Sequence, residues 1–165
     1  NDKNNTEFTL SSYINNYFFK ETFVKTNSID LQFISPIEIV LPKLEKGKKM
    51  KLHNINFHGD LATYFNSAKP TLRRLKKLMA LNPKLAIVIE GHTNGFYTNQ
   101  IDIDRTQELS EQRAAAVKNY LTSKGIDEKR IETIGYNSSR MLYPKMETEH
   151  QQHLNRRVEI LVSDY

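Results

Sequence analysis

Five consecutive apolar residues, Leu85-Ala86-Ile87-Val88-Ile89, constrain this chain more than any other feature. A run that is apolar on nearly every position reads as a buried strand. The segments around it have helical periodicity. From Phe65 onward Leu72, Leu75, Leu78 and Met79 form one stripe and Arg73, Arg74, Lys76 and Lys77 the other, until Asn82-Pro83 ends the pattern, because proline cannot continue the hydrogen-bond ladder. After a loop from His92 to Ile103, a second helix is predicted from about Arg105 to Lys124, closed by Gly125 as a left-handed cap. Arg130 to Tyr136 reads as a further strand. Beyond an irregular stretch containing Pro144, Arg156 to Val162 alternates cleanly as a last strand.

Upstream of Phe65 the signals are weaker. Residues 1 to 30 are polar with aromatic clumps at Tyr13, Tyr17, Phe18, Phe19 and Phe23, and their periodicity does not choose between helix and strand. Ile29 to Leu41 and Met50 to Phe57 alternate in part and read as strands, joined by the turn-prone Pro42 to Lys49. A boundary near Pro42 divides the chain into an N-terminal β-rich extension, 1–41, which is either an appendage or the end of an upstream module, and a main domain, 42–165. For the main domain the element order predicts an α/β (α+β) two-layer sandwich, a mixed sheet with helices on one side.

Composition narrows the class. A chain of 165 residues with 38% hydrophobic residues, six glycines and five prolines is that of a folded globular protein rather than a disordered or fibrous one. No run approaches the roughly 20 apolar residues of a membrane-spanning helix. The absence of cysteine excludes a disulfide scaffold, a thiolate metal site and a cysteine nucleophile. Because the chain starts at Asn1 without an initiator methionine or a signal-like segment, a mature or excised fragment is expected. The net charge of +5 is spread over Lys43 to Lys51, Arg73 to Lys77 and Arg156-Arg157, which fits either a solvated surface or attraction to an anionic polymer.

Three places put polar groups where a core pattern expects apolar ones. On the second helix Leu109, Ala116, Val117, Tyr120 and Leu121 share a stripe, and Arg113, one turn beyond Leu109, lies on it. A guanidinium aimed inward presents paired donors that suit a carboxylate or phosphate, or else it pins the helix through an internal salt bridge. The predicted helix start lies nearby and would add its own N–H groups, with Asp104 and Gln107 as a capping box and Thr106 as a rival cap. On the last strand Val158, Ile160 and Val162 share a face, which extrapolates to Arg156 and leaves Arg157 with Glu159 on the other. Arg156 therefore reads as a site residue or a snorkelling core-edge residue, and Asn155 as a loop clamp or ligand contact. After the buried strand, Gly91, Thr93, Asn94 and Gly95 crowd the strand end with small polar residues, where open α/β sheets commonly bind ligands.

Gly91-His92-Thr93-Asn94, Leu109-Ser110-Glu111-Gln112-Arg113-Ala114 and Asn155-Arg156-Arg157-Val158-Glu159, with Gly125-Ile126 and Gly135-Tyr136 between them, resemble in order and spacing the peptidoglycan-binding domain of the OmpA, Pal and MotB proteins. The resemblance covers about two thirds of the chain and implies the same sandwich fold. In that family the arginine of the LSxxRA cluster and an aspartate after the Gly-His-Thr motif hold the free amino-acid end of the peptidoglycan diaminopimelate. The arginine carries over to Arg113, whereas the aspartate position is Asn94 here. An asparagine accepts a hydrogen bond from an ammonium but supplies no charge. The loop to the arginine is also longer than usual and holds Tyr97, Asp102 and Asp104 as stand-ins. Phe57-His58-Gly59-Asp60 matches the family's first strand and the loop whose backbone lines the cleft. The resemblance thus places Arg113, Asn94, Thr93, Asp104, Leu109, His58, Gly59, Asn155 and Arg156 in or beside a ligand site.

What it implies is a noncatalytic anchor that ties an outer-membrane protein or lipoprotein, as the upstream module, to the wall on the periplasmic face of a Gram-negative outer membrane. A scaffold or interaction domain with lost or altered wall binding is the alternative. No cofactor and no metal are expected, and the oligomeric state stays open between monomer and homo-oligomer. Catalysis is disfavoured because the five histidines show no metalloprotease spacing and Ser110 lacks a hydrolase elbow; His150 and His153, three apart, read as a solvated polar turn. Nucleic acid is disfavoured as a partner because acids are interleaved with the bases and the aromatics form no RNA-binding strand signature.

Overall fold

The computed structural model describes residues 6–12, 20–26, 43–51, 55–95 and 99–164. The chain divides into two units, Asn1–Leu44 and Glu45–Tyr165. In the first, β1 (Thr6–Ser12) and β2 (Lys20–Thr26) pair antiparallel with Thr6 opposite Thr26. The undecided periodicity of residues 1 to 30 is thus resolved as strand over 6–12 and 20–26, while Tyr13, Tyr17, Phe18 and Phe19 lie outside the described residues. The strand expected at 29–41 falls outside the described residues.

The second unit is a mixed four-stranded sheet under helices. β3 (Lys49–Lys51), β6 (Val158–Asp164), β4 (Ala86–Gly91) and β5 (Ile131–Gly135) lie side by side in that order, antiparallel except for the parallel pair β4 and β5. A parallel pair needs a long crossover, and α2 (Gln100–Ser123) supplies it. That helix lies across β4 and β5, with α1 (Lys69–Leu81) packed beside it. The interior place of β4, between β6 and β5, explains its unbroken apolar run: Ile87, Val88 and Ile89 are all buried.

Alternation sorts the two faces of the sheet. Ile87, Ile89 and Gly91 pair with Val162, Ile160 and Val158 on the face that meets the helices. Leu72, Leu75 and Met79 from α1 and Ala114, Val117 and Leu121 from α2 complete that core. Each such side chain contributes roughly 1.5–3 kcal/mol of hydrophobic burial for the larger aliphatics, so this layer dominates the unit's stability. Glu90 and Glu159 face one another on the opposite side.

α1 begins with Pro70 in its first turn and ends at Asn82, whose backbone N–H and side-chain Nδ2 both donate to the Leu78 carbonyl, at 3.1 and 2.8 Å. Arg130 gathers the neighbouring carbonyls, donating from Nε to Leu85 at 2.9 Å and from Nη2 to Met79 and Asn82 at 2.9 and 2.7 Å. Carbonyls at the end of a helix lack intrahelical partners, and one guanidinium here satisfies several at once.

Several boundaries differ from the sequence expectation. α2 starts at Gln100, not Arg105, because Asn99 is its N-cap: Asn99 Oδ1 accepts from the Asp102 N–H at 2.9 Å. The capping roles expected of Asp104 and Thr106 are therefore not taken up. Of the strand expected at 50–57, β3 (Lys49–Lys51) takes the first two residues, residues 52–54 lie outside the described ones, and Phe57 forms an isolated bridge with Tyr64. A helix, α3 (Glu149–Asn155), occupies the stretch read as irregular, held by a reciprocal capping box between Thr148 and Gln151. Since α3 runs into Arg156 as its C-cap, β6 starts two residues later than expected, at Val158.

Candidate ligand-binding site

The C-terminal end of β4 is a junction of three loops and a helix. His92 N–H donates to the Arg157 carbonyl at 3.0 Å, Thr93 N–H to the Asn137 carbonyl at 2.8 Å, and Tyr136 N–H to the Gly91 carbonyl at 2.9 Å. Ser110 ties the same corner to α2: its Oγ donates to the Gln107 carbonyl and accepts from the Asn137 N–H at 3.1 Å. The helix comes this close only because Gly91 and Gly135 lack side chains. A Cβ on Gly91 would overlap the Ser110 carbonyl oxygen, and one on Gly135 would overlap Ser110 Oγ and lie 2.7 Å from the Glu111 nitrogen.

Arg113, next to Ala114 in this contact, is only 1% exposed, so the inward aim read from the stripe holds. Its Nε donates to the Leu61 carbonyl at 3.1 Å and its Nη2 to the His58 carbonyl at 3.4 Å, and its guanidinium carbon stands 5.3 Å from the centre of the Phe57 ring. Carbonyl dipoles and an aromatic face both offer negative potential to the guanidinium. The turn that carries these carbonyls is a tight loop in which Leu61 N–H returns to the His58 carbonyl and Asp60 takes a left-handed φ of 53°. His58, Gly59, Asp60 and Leu61 are all exposed, and the His58 ring lies against Phe65 with centroids 3.9 Å apart and planes tilted by 41°.

The remaining predicted site residues separate into two groups. Thr93 is buried and Asn94 half-buried at the end of β4, two and three residues past the glycine that touches α2 beside Arg113; Leu109 is half-buried on that helix. Asp104, by contrast, is exposed and accepts from Gln100 at 2.7 Å. Nine residues at 100° each put it on the opposite side of α2 from Arg113, about 14 Å along the axis. It therefore does not share Arg113's face. The helix N-terminus is also distant, because Gln100 lies 13 residues before Arg113, roughly 20 Å. Tyr97 lies outside the described residues.

Asn155 is fully buried and acts as a clamp. Its Oδ1 accepts from the Leu142 and Tyr143 N–H groups at 2.9 and 3.0 Å, while its Nδ2 donates to the Tyr143 carbonyl at 2.9 Å. Of its two expected roles, loop clamp is the one its hydrogen bonds fill. Arg156 is half-buried beside His153, with Nη2 3.3 Å from the His153 Nδ1, and as a helix cap it does not continue the β6 face to which alternation assigned it.

Arg157, which alternation sets with Glu159 on the face away from Val158 and Ile160, is not a solvated surface residue. Its side chain is only 12% exposed, and its Nε donates to Glu159 Oε1 at 2.7 Å. The cluster that it joins was not anticipated. Lys49 Nζ lies 2.6 Å from Glu90 Oε2, Arg140 Nη1 3.9 Å from Glu90 Oε1, and the Arg140 guanidinium covers the Tyr136 ring at 3.6 Å. His92 stacks on the Tyr136 ring at 5.6 Å. Burial, helped by the Arg157 charge, holds the His92 imidazole down at about 4. For Glu159, burial works upward, but the hydrogen bond and charge of Arg157 outweigh it and keep the carboxyl below its usual range. The available signal was Glu90 and Glu159, acids set within two of the most apolar strands.

Fold and site together define a two-layer α/β domain with an arginine buried where a helix meets the sheet end. Residues 56–156 match the OmpA family, and the chain belongs to it. A peptidoglycan-associated lipoprotein of Mesorhizobium japonicum is 33% identical over 86 residues, 52% of this chain and 49% of that protein. The OmpA-like domain of FopA1 from Francisella tularensis superposes with a TM-score of 0.54 at 25% identity, over 67% of this chain and 73% of that one. The periplasmic domain of Helicobacter pylori MotB superposes with a TM-score of 0.61 at 21% identity, over 74% and 77%. The chain spans about half the length of the lipoprotein relatives it matches, and 13% of a photosystem I apoprotein A2 of Gloeobacter violaceus that is 31% identical over 114 residues.

Proposed function

We propose that this domain is a noncatalytic peptidoglycan anchor that takes the diaminopimelate of the stem peptide at the junction of α2, the β4 end and the 58–61 turn. The observation that carries the reading is Arg113, a permanently charged group buried at that junction and held by carbonyl oxygens that a ligand carboxylate can replace with a stronger, charge-assisted pair. Family membership and relatives named as peptidoglycan-associated lipoproteins support it. In this reading the carboxylate enters by displacing the His58 and Leu61 carbonyls, so the 58–61 turn moves on binding. Thr93 and Asn94 face the ammonium. The domain then tethers an outer-membrane protein or lipoprotein to the wall in the periplasm of a Gram-negative cell.

A second reading is favoured by Asn94. The acid expected there is missing, and Asp104 on the far side of α2 does not replace it. Under that reading the chain keeps the scaffold and serves as an interaction domain without wall affinity. Co-sedimentation with purified sacculi, paired with titration of a diaminopimelate-containing peptide, separates the two: an anchor pellets with the wall and saturates with peptide, and an interaction domain does neither.

A further inference from the structure

The face of the sheet opposite the helices carries a second cluster with different chemistry. Glu90, His92 and Glu159 each offer one ligand-type atom, and these atoms all lie within 4.8 Å of one another. All three residues are buried, at 1%, 1% and 6% exposure. Glu90 and Glu159 are direct partners across β4 and β6, so the two carboxylates are placed by sheet register rather than by loops. For three atoms so spaced, some point lies within roughly 2.8 Å of all of them, near the ~2.0–2.2 Å of zinc bonds to imidazole and carboxylate.

Two further observations point to a ligand. Neither ring nitrogen of His92 has a hydrogen-bond partner among the described residues, although the ring is buried. A neutral imidazole carries one donor and one acceptor, and a buried one with both unmade is the kind of group that an ion or a water completes. The cations around the carboxylates also differ in their freedom. Arg157 is locked, 12% exposed and bonded through Nε to Glu159, whereas the Lys49 side chain that pairs with Glu90 is 41% exposed and has water to retreat to.

We propose that Glu90, His92 and Glu159 form a three-ligand site for a first-row divalent cation, best matched by zinc, for which Lys49 competes at Glu90. One imidazole nitrogen and two carboxylate oxygens are a borderline-hard donor set, and with a water they complete the tetrahedral coordination that zinc prefers. Lys49 and Arg157 each contact one of the two carboxylates closely, and Arg140 stands 3.9 Å from Glu90 with its guanidinium over the Tyr136 ring, so a divalent ion enters as the more exposed Lys49 ammonium swings outward. Arg157 stays behind as the group that orients Glu159. The site adjoins Thr93 and Asn94 but is distinct from the Arg113 pocket, and it stands or falls independently of wall binding.

The test is a calorimetric titration of zinc chloride into the 165-residue chain in a His150→Ala/His153→Ala background, which removes the two histidines of α3, with cobalt(II) absorption as a spectroscopic readout. One equivalent is expected to bind, with intense visible cobalt bands of a four-coordinate site and a thermal midpoint raised by several degrees. His92→Ala and Glu159→Gln are expected to lose binding at least tenfold. Lys49→Met, which leaves all three ligands in place, is expected to tighten it at least tenfold. Should His92→Ala fail to fold, Lys49→Met still decides: unchanged or weaker zinc affinity in that variant overturns the proposal, as does a parent chain that binds no zinc.

Discussion

Gly91 at the end of β4 is packed directly on the carbonyl oxygen of Ser110, with no room for a methyl group between strand and helix. Both atoms in this contact are backbone, so neither can rotate away. Gly91→Ala is therefore expected to destabilise the domain by about 3 kcal/mol, at the upper end of overpacking substitutions, because the helix must lift off the sheet. A urea melt that shifts by less than a third of this would show that α2 is free to slide.

Removing Arg113 should affect ligand and loop together. Arg113→Ala is expected to reduce sacculus binding at least tenfold, the loss of one charge-assisted pair worth roughly 1.5–3 kcal/mol. It should also release the His58 and Leu61 carbonyls, visible as faster amide exchange across 58–61. Undiminished co-sedimentation of a folded mutant would assign Arg113 to the scaffold alone.

Asn94→Asp is expected to tighten a peptide bearing a free diaminopimelate amine, since it returns a negative partner to the ammonium. The comparison peptide with an acetylated amine should show no gain. Equal affinities for the two peptides in the mutant would remove Asn94 from the pocket.

The two adjacent arginines should behave oppositely to a simple in-and-out alternation. Arg157→Ala strips the partner from the buried Glu159 carboxylate and is expected to cost about 3 kcal/mol, whereas Arg156→Ala, at a half-buried helix cap, should cost less than about 1 kcal/mol. Paired thermal melts read the difference. The reverse order would mean that the Arg157 to Glu159 contact does not persist in solution.

Acid should weaken the domain in two stages. The folded chain keeps His92 neutral to about pH 4, among Glu90, Glu159, Lys49, Arg140 and Arg157, while the unfolded chain protonates it near 6.5. Its contribution is thus fully present above about pH 6.5 and lost as pH falls toward 4, on the order of 2 kcal/mol after allowing for solvent screening. Glu159, whose folded carboxyl titrates lower than usual, adds stability above the ordinary carboxylate range that is lost at still lower pH. In His92→Phe the first stage should vanish. A midpoint that is flat between pH 7 and 4.5 in the parent would contradict a buried neutral imidazole.

Much of this architecture is legible in the sequence, and the failures have physical causes. Arg113 stands out because a single charge interrupts an apolar stripe, and β4 because an interior strand carries no polar alternation. The start of α2 is hidden, since the turn from Gln100 to Arg105 is mostly polar and its cap, Asn99, follows a stretch without periodicity. α3 is short and lacks a stripe, although Thr148 and Gln151 have the spacing of a capping box. The reading of Arg157 fails for a different reason. Alternation along β6 separates two faces correctly, but a strand flanked by β3 and β4 has Glu159 buried on one and Val158 and Ile160 on the other, so polarity does not equal exposure.

The edge position of β3 has a mechanical consequence. Among the described residues the strand is three residues long and pairs only with β6, supported by the Gly47 to Val162 and Val162 to Lys48 backbone hydrogen bonds. A pull on the chain just before β3 loads these few bonds before it reaches β4. Peeling them would draw Lys49 away from Glu90, so tension on this edge would be felt as a change of charge balance inside the sheet.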